Sequence, residues 1–575
     1  MNPLGSKPSS FEFYKKYLGI TSPHKHQVDM WEAIRASNFP ILLKAPTGSG
    51  KTEAVIAPYL SQFIEKNFFI APRLIYVLPM RVLVNNIAKR IQDYTKQISP
   101  DISVKVQHGD VPASPFFISD IVVTTLDQFL YGFARASHQV GRHIDMPAGS
   151  IASSLVVFDE AHMYRDEFTF SIMRALMEIL YRSNIPFVLM GATIPESLEE
   201  SLFENIPLSN DQKVIGDVES RAQIQISIEQ TALYNKNGGV SISDELLEKI
   251  KSKKTLIVLN QVNRAQKIYR FLKDSLNLND SNIVLLHSRF TQKDRREHEK
   301  KGVSLLPHKE NGRLVVPEDN GIVVSTQVLE AGIDFSAELL LTELAPADSL
   351  IQRAGRCARY QGEKGEMVIF SLDDDGGYLP YKREHLRNAL NWLQNNEDFD
   401  IRNFKEVCKF VNETLDYKTN DFEAADTLLD LYECVLYSDI EPTNIQIRKG
   451  KPIRLLVLDI PEGNTDKARK CIVDTLAKIS ADELRDNLID SDIHVAWGLI
   501  SNKNNPIQWE IQWKYNPEKK SNEPSVIYLG KKNENESKEQ KDQDDPTIAP
   551  YKIYILNRNY YKPDRGIEID ASWVI

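Results

Sequence analysis

Cysteine is scarce in this chain. Cys357, Cys408, Cys434 and Cys471 are the four in 575 residues, and no two form a C-x-x-C pair. That spacing gives neither a disulfide framework nor a zinc site, so the four read as packing residues. Long apolar runs are missing as well. Every apolar stretch is interrupted by Lys, Pro or Arg before it reaches the ~20 residues that a bilayer helix needs, and Met1-Asn2-Pro3-Leu4-Gly5 lacks the apolar core of a secretion signal. No membrane partner is expected, and a cytoplasmic location is. Excess positive charge is absent too: the net charge is −10 and the isoelectric point near 5.7. Binding to phosphate backbones is driven largely by Lys and Arg releasing counterions, so this balance excludes a protein coated in basic surface. It leaves open a narrow basic or neutral channel, with the acidic residues segregated elsewhere. The rest of the composition, 42% hydrophobic and 26% charged, is that of an ordinary globular protein. Such a length holds about three to four domains.

What is present is concentrated in short motifs. Ala45-Pro46-Thr47-Gly48-Ser49-Gly50-Lys51-Thr52 lies between an apolar run, Ile41 to Leu43, and a helix-compatible segment opening Glu53-Ala54-Val55. This is the strand, loop and helix setting of a phosphate-binding loop. Gly48 and Gly50 let backbone N–H groups of the loop, Thr47 and Ser49 included, close around phosphate oxygens. Lys51 has the reach for the outer phosphates, and the Thr52 hydroxyl suits magnesium. Ala45 stands where the strict pattern has glycine. Further on, Leu155 to Phe158 reads as a buried strand that runs into Asp159-Glu160-Ala161-His162. Two carboxylates thereby fall at a strand's carboxyl end, where ligands bind in open α/β sheets. Asp159 is the candidate to hold magnesium through its water shell and Glu160 to polarise an attacking water, because phosphoryl transfer depends mainly on positioning and charge stabilisation. An exposed acidic turn is the bland alternative, and the phosphate loop roughly a hundred residues upstream argues against it.

Taken in chain order, these motifs resemble those of superfamily 2 helicases, ATP-driven motors with two RecA-like domains that clamp nucleotide between them. The resemblance implies an adenine-reading role for Gln27, with Pro23 before it and Phe11, Phe13 and Tyr14 upstream. Leu78 to Leu83, containing Arg81, resembles motif Ia, and His108-Gly109-Asp110 lies where motif Ib begins. Ile121 to Thr125 resembles the strand whose terminal threonine touches a nucleic-acid backbone. Arg81, Gly109 and Thr125 are thus expected nucleic-acid contacts. Gly191-Ala192-Thr193 occupies the place of the Ser-Ala-Thr motif that couples hydrolysis to strand movement, with its first hydroxyl missing. Thr193 is expected to bond toward His162.

Thr255 to Asn260, Ile283 to Leu286, Gly321 to Ser325 and Leu339 to Thr342 are short apolar runs separated by helical or turn-rich stretches, the alternation of a parallel sheet. The resemblance makes this the second RecA-like domain. It implies motif V over Thr326 to Asp334, with Gly332 and Asp334 toward ATP, and nucleic-acid contacts at Asn260, Arg289 and Thr326. Gln352 to Arg359 resembles motif VI. Arginine's planar, permanently charged fork suits γ-phosphate oxygens. Arg356 and Arg359, with Gln352 in the same motif, are therefore the expected arginine fingers, offered across the domain cleft to the phosphate held by Lys51. Ala358 replaces the commoner glycine. Arg289, Lys293, Arg295, Arg296, Lys300 and Lys301 concentrate positive charge beside a strand end, as a patch for nucleic acid or as a solvated helix face.

Finer details resemble one branch of this superfamily. Met163-Tyr164 after the acidic box, His287-Ser288-Arg289-Phe290 before Asp294-Arg295 and Glu297, the Gln-Arg-Ala-Gly-Arg-Cys form of motif VI, and Tyr561-Lys562-Pro563-Asp564-Arg565-Gly566 are similar to the CRISPR-associated helicase of type I interference systems, the Cas-three family. Members of that family commonly carry an amino-terminal nuclease domain with paired His-Asp metal ligands. Here the segment before Ala45 is shorter than the ~50 residues an independent domain needs, and no histidine is followed by aspartate. The resemblance thus implies the split form: a helicase that unwinds 3′ to 5′ on single-stranded DNA with ATP and magnesium, works with a CRISPR surveillance complex, and leaves cutting to a separate HD nuclease subunit. The alternatives are a DEAH or Ski-like RNA helicase, and an ATP-gated recruitment factor that grips nucleic acid without unwinding.

The expected fold is α/β: two tandem RecA-like parallel-sheet domains, residues 1–215 and 216–372, followed by an accessory α+β domain, 373–575. Asp373 to Gly377 reads as a linker. Helices are expected around His385 to Gln394, Phe422 to Tyr437 and Thr465 to Leu488, and strands around Trp497, Trp509 and Trp513. Buried packing is the expected role of these tryptophans, with stacking on bases, worth ~1 to 3 kcal/mol each, as the alternative. Residues 531–545 are nearly all polar and read as a mobile loop.

Overall fold

The computed structural model of the chain describes residues 8–568 apart from 165–166, 217–222, 235–238, 311–312, 330–332, 373–376, 417–424, 431–432, 434–451, 462–464, 501–506, 517–520, 530–547 and 551. It divides into two compact units. The first comprises residues 1–221, 346–352 and 387–449, and the second 222–345, 353–386 and 450–575.

Eight strands form the sheet of the first unit: β1 (Ile41–Lys44), β2 (Arg73–Leu78), β3 (Val104–His108), β4 (Val111–Pro112), β5 (Ile121–Thr125), β6 (Ser154–Phe158), β7 (Phe187–Gly191) and β8 (Lys213–Ile215). Their order is β4-β3-β5-β2-β6-β7-β1-β8, parallel except for β4. The central strands are almost wholly apolar and buried on both faces, as a sheet covered by helices requires. The topology places β6, β7 and β1 side by side. The segments leaving their carboxyl ends, the phosphate loop after β1, Asp159 to His162 after β6 and Gly191 to Thr193 after β7, are thereby neighbours. Ahead of the sheet, helix α1 (Ser10–Tyr17) starts in a capping box in which Ser9 and Glu12 exchange side-chain to backbone bonds. Helix α2 (Lys25–Arg35) follows, then α3 (Lys51–Glu65) after the phosphate loop. The Tyr14 hydroxyl, within 3.3 Å of Gln27 O and 3.2 Å of Glu53 O, ties the three helices together.

The second unit holds a six-stranded, all-parallel sheet in the order β11-β14-β10-β15-β16-β9: β9 (Gln223–Glu229), β10 (Thr255–Val258), β11 (Ile283–Leu286), β14 (Ile322–Ser325), β15 (Leu339–Glu343) and β16 (Lys364–Phe370). A hairpin of β12 (His308–Glu310) and β13 (Arg313–Val315) is separate. The four runs expected as strands are β10, β11, β14 and β15. A further five-stranded mixed sheet, β17 (Pro452–Leu458), β18 (Leu488–Asp492), β19 (Ile507–Asn516), β20 (Ser521–Tyr528) and β21 (Ile553–Asn557), shares an apolar core with the six-stranded one.

Two expectations for this region are corrected. The helix expected from Thr465 to Leu488 is two helices, Thr465–Lys478 and Ala481–Asp486, because the Ser480 side chain accepts from Glu483 N and caps a fresh start; Leu488 opens β18. Trp497 lies on the helix Ile493–Ile500 and not on a strand. It points away from the buried Val495, Ala496 and Leu499, and with Trp513 it is about half exposed, whereas Trp509 alone of the three is buried. The expected linker is outside the described residues over 373–376, as are most of the helix expected over 422–437 and the loop 531–545. Cys357 is buried and Cys408 and Cys471 half-buried, while Cys434 falls outside the described residues.

The carboxyl-terminal signature closes onto the second unit as a small hairpin, β22 (Tyr561–Lys562) with β23 (Gly566–Ile567). Thr291 N donates to the Tyr561 hydroxyl at 3.1 Å, and that hydroxyl donates to Asp294. Gln266 Nε2 donates to the carbonyls of Arg565 and Ile567 at 2.7 and 2.9 Å, and His287 Nε2 to that of Arg565 at 2.9 Å. Gly566 has φ +72, and a Cβ there would stand 2.4 Å from Arg289 O. The signature's tyrosine and glycine are thus a hydroxyl anchor and a close backbone approach.

Candidate nucleotide site

The loop between β1 and α3 is held in a left-handed turn at Gly48 and Gly50, with φ +77 and +82. Gln27 braces it from α2: its Nε2 donates to Gly50 O at 3.1 Å while its Oε1 accepts from His24 N at 2.8 Å. A Cβ at Gly50 would fall 2.4 Å from that amide nitrogen, so a side chain there would push the Gln27 amide off the loop. His26 Nε2 lies 3.1 Å from Ser49 O. Burial, then the neighbouring His24, pushes His26 down to about 4, and the neutral ring donates to the loop. Lys51 is buried, its ammonium on the carbonyls of Ala45 and Pro46 at 3.1 and 3.2 Å.

Asp159 leaves β6 fully buried in polar company. The Tyr76 hydroxyl, rising from β2, sits 2.7 Å from Asp159 Oδ2 and 3.3 Å from Thr52 Oγ1. Glu160 N donates to Asp159 Oδ1 at 2.7 Å, and Glu160 adopts φ +54, which turns the chain sharply away from the strand. Burial, then the adjacent Glu160, raises Asp159 to about 6 against the opposing pull of Lys51. His162 Nδ1 faces Glu160 Oε2 at 3.6 Å, and the Gln352 amide meets His162 Nε2 within the same unit. The expected bond from Thr193 to His162 is corrected: both ring nitrogens face other groups, and Thr193 Oγ1 is buried with no hydrogen bond among the described residues. Lys51, Thr52, Asp159, Glu160, His162 and Gln352 are therefore gathered around the ends of β1 and β6. Thr52 and Asp159 offer oxygen donors, the chemistry a hard cation such as magnesium takes.

Helix α4 (Arg81–Ile98) brings Arg81 to Asp110 at 2.7 Å and over Gly109, so the two segments resembling motifs Ia and Ib meet. Thr125 is buried at the end of β5. The other expected nucleic-acid contacts are deeply placed. Asn260 donates to Leu344 O and accepts from Arg353, Thr326 is buried, and Arg289 is 2% exposed with its guanidinium on Asn263 at 2.6 Å. Burial lowers Arg289 to about 10. The basic run from Arg289 to Lys301 is accordingly not one exposed patch, since Arg289 is inside, Arg295 pairs with Glu299 and Arg296 with Asp486.

In the second unit Arg356 donates to Leu329 O at 3.1 Å, and Arg359 pairs with Asp334 at 2.7 Å and donates to Gly355 O. Gly332 lies outside the described residues. Arg353, just before them in sequence, is fully buried and donates to Thr342, Glu343 O, Asn260 and Tyr381, all in the second unit. Tyr76, His26 and Arg353 were not expected from the sequence. A polar residue in an apolar strand was the one available signal for Tyr76.

A DEAD/DEAH box helicase family model matches residues 24–201, and a CRISPR-associated nuclease/helicase Cas3 C-terminal model matches residues 251–362. With the two RecA-like sheets, these matches define a superfamily 2 helicase. A "CRISPR-associated helicase Cas3" of Thermoproteus tenax is 29% identical over 467 residues, which cover 76% of this chain and 75% of that one. A crystal structure of T. fusca Cas3 with ADP superposes with a TM-score of 0.64 at 18% identity, covering 85% of this chain and 66% of that chain. A chain of a structure described as a CRISPR RNA-guided surveillance complex, pre-nicking, gives a TM-score of 0.54 at 20% identity over 82% of this chain and 63% of that one. The chain is thus similar to CRISPR-associated Cas3 helicases. The chain spans 42 to 54% of the length of five other curated Cas3 proteins that it matches. No helix among the described residues is long and apolar enough to cross a membrane.

Proposed function

We propose that the chain is an ATP-dependent helicase and translocase, stimulated by single-stranded DNA, that moves 3′ to 5′ in CRISPR type I interference beside a surveillance complex and a separate HD nuclease subunit in the cytoplasm. The observation that carries this reading is the convergence of Lys51, Thr52, Asp159 and Glu160 beyond the ends of β1 and β6, which flank β7. In it, Gln27 reads adenine and the turns at Gly48 and Gly50, with Thr47 and Ser49, aim backbone donors at phosphate oxygens. Lys51 exchanges the carbonyls of Ala45 and Pro46 for the outer phosphates. Thr52 and Asp159 would hold magnesium, which would supply charge neutralisation at the phosphates. Glu160 orients the attacking water from its sharply turned position, with His162 and Gln352 set to report on the γ-phosphate. Arg356 and Arg359 exchange Leu329 O and Asp334 for γ-phosphate oxygens as fingers worth roughly 10³ to 10⁵ in rate. Gly332 and Asp334 belong to the ATP side, and Arg81, Gly109, Thr125, Asn260, Arg289 and Thr326 to the nucleic-acid side. The domain division at 215/216 and 372/373 is part of the proposal.

A nuclease on another polypeptide is part of the same proposal. It is supported by the printed name of the Thermoproteus tenax relative, a helicase, where relatives spanned over about half their length are named nuclease/helicases. Strand displacement tests the reading, with 3′- and 5′-tailed duplexes of DNA and RNA and Lys51→Ala as the blank. Displacement of 3′-tailed DNA supports it. Preference for RNA selects the RNA helicase, and hydrolysis without displacement selects the recruitment factor.

A further inference from the structure

We infer that Tyr76 is a positioning residue for the magnesium-binding pair Thr52 and Asp159, an inference that rests on the nucleotide-site reading above. Tyr76 sits on β2 with none of its side chain exposed, part of the first unit's apolar core and directly opposite Val157 of β6. Backbone pairing of β2 with β5 and β6, at Val123 and Val157, fixes where the hydroxyl emerges. That hydroxyl stands 2.7 Å from Asp159 Oδ2 and 3.3 Å from Thr52 Oγ1. A phenol has one proton to give, and an ionised carboxylate only accepts. The proton therefore goes to Asp159, and Tyr76 Oη accepts from Thr52. The three side chains form a directed relay, Thr52 to Tyr76 to Asp159.

Two consequences follow for a cation at this pair. Thr52 must spend its proton on Tyr76, which turns the free lone pairs of Oγ1 outward, and a hydroxyl ligates a cation through a lone pair. Asp159 is gripped at both oxygens, by Tyr76 on Oδ2 and by Glu160 N on Oδ1 at 2.7 Å, so its carboxylate cannot rotate. Such charge-assisted bonds to ligating groups orient them, and their loss typically costs about 10- to 100-fold in metal affinity or activity.

The test is Tyr76→Phe in the full chain, read by binding of a fluorescent ATP analogue titrated with Mg²⁺ and, separately, in EDTA. The expected result is an Mg²⁺ midpoint raised about 10-fold with nucleotide affinity in EDTA unchanged. Thr52→Ala should raise the midpoint too, and adding Tyr76→Phe to it should raise it little further, because both act through one relay. Should the phenylalanine variant fail to fold, 4-fluorophenylalanine in place of Tyr76 fills the hydroxyl's volume without a donor and is expected to give the same shift. A midpoint at the wild-type value, or an equal loss of affinity with and without metal, would overturn the inference. Lys51→Ala separates the two levels: if it binds and hydrolyses ATP as wild type, the nucleotide-site reading itself is wrong. If Lys51→Ala is inactive and the Tyr76→Phe midpoint does not move, the positioning role alone is lost.

Discussion

Gly566→Ala should destabilise the second unit by about 3 to 5 kcal/mol, and the figure can be built from contacts. At φ +72 an alanine pays about 1 kcal/mol for a left-handed backbone. Its Cβ would also stand 2.4 Å from Arg289 O, 2.8 Å from His287 Cε1 and 3.0 Å from Arg289 C. Backbone and a buried ring cannot yield as the end of a flexible side chain would. The hairpin must back away, loosening the bonds that Gln266 and His287 donate to Arg565 O and Ile567 O, at 2.7 to 2.9 Å, and the bond from Ile567 N to Arg289 O at 3.2 Å. At about 1 kcal/mol each, loss of about two to all of these bonds accounts for the remainder. Gly362→Ala is the matched control, because φ is +85 there and nothing lies within 4 Å of an added Cβ. It should cost only the backbone part, about 1 kcal/mol. Urea unfolding followed by far-ultraviolet circular dichroism measures both. Equal losses in the two variants would refute the close-approach argument.

Other outcomes are expected. Lys51→Ala should abolish ATP hydrolysis, whereas Arg356→Ala should leave much nucleotide binding intact; equal loss of binding in a fluorescent-nucleotide titration contradicts the finger role. Buried His26 and His287 are both held below the ordinary histidine value of 6.5, His26 at about 4. The unfolded chain takes up protons at these positions before the folded one does. Their stability is therefore full above pH 6.5 and is lost as pH falls below it, at about 1.4 kcal/mol per unit for each. Denaturant midpoints at about pH 7.5 and 5.5 should show that decline, and His287→Gln should reduce it. Arg264→Met leaves Glu343 charged and buried beside the bond it accepts from Asn260 N at 2.7 Å. A loss of about 3 to 5 kcal/mol is expected, with much of it recovered by adding Glu343→Leu; no recovery in the double variant would count against a desolvation origin.

The chemistry was legible in the sequence where it is local. A phosphate loop is eight consecutive residues, and an apolar run followed by Asp159 and Glu160 announces a strand end. The four strands β10, β11, β14 and β15 were legible for the same reason, since each is a short apolar run. What could not be read depends on distant partners. Tyr76 lies 24 residues from Thr52 and 83 from Asp159, and only the order of β2 and β6 in the sheet brings them together. Gln27 was singled out from the sequence, but its brace on Gly50 depends on how α2 packs beside the loop. Charge misled where burial outweighed it: Arg289 reads as surface yet is inside, tied to Asn263, while Arg295 finds an acid one helical turn away. Tryptophan misled in the opposite direction, because an amphipathic helix decides which side Trp497 faces and its hydrophobicity does not.

Steady-state ATP hydrolysis bears most directly on the central claim, measured without nucleic acid, with single-stranded DNA and with single-stranded RNA, and with Lys51→Ala as the blank. Strong stimulation by DNA and not by RNA, abolished in Lys51→Ala, is the predicted result. Stimulation by RNA instead, or hydrolysis that survives Lys51→Ala, would contradict a DNA-driven motor built on this phosphate loop.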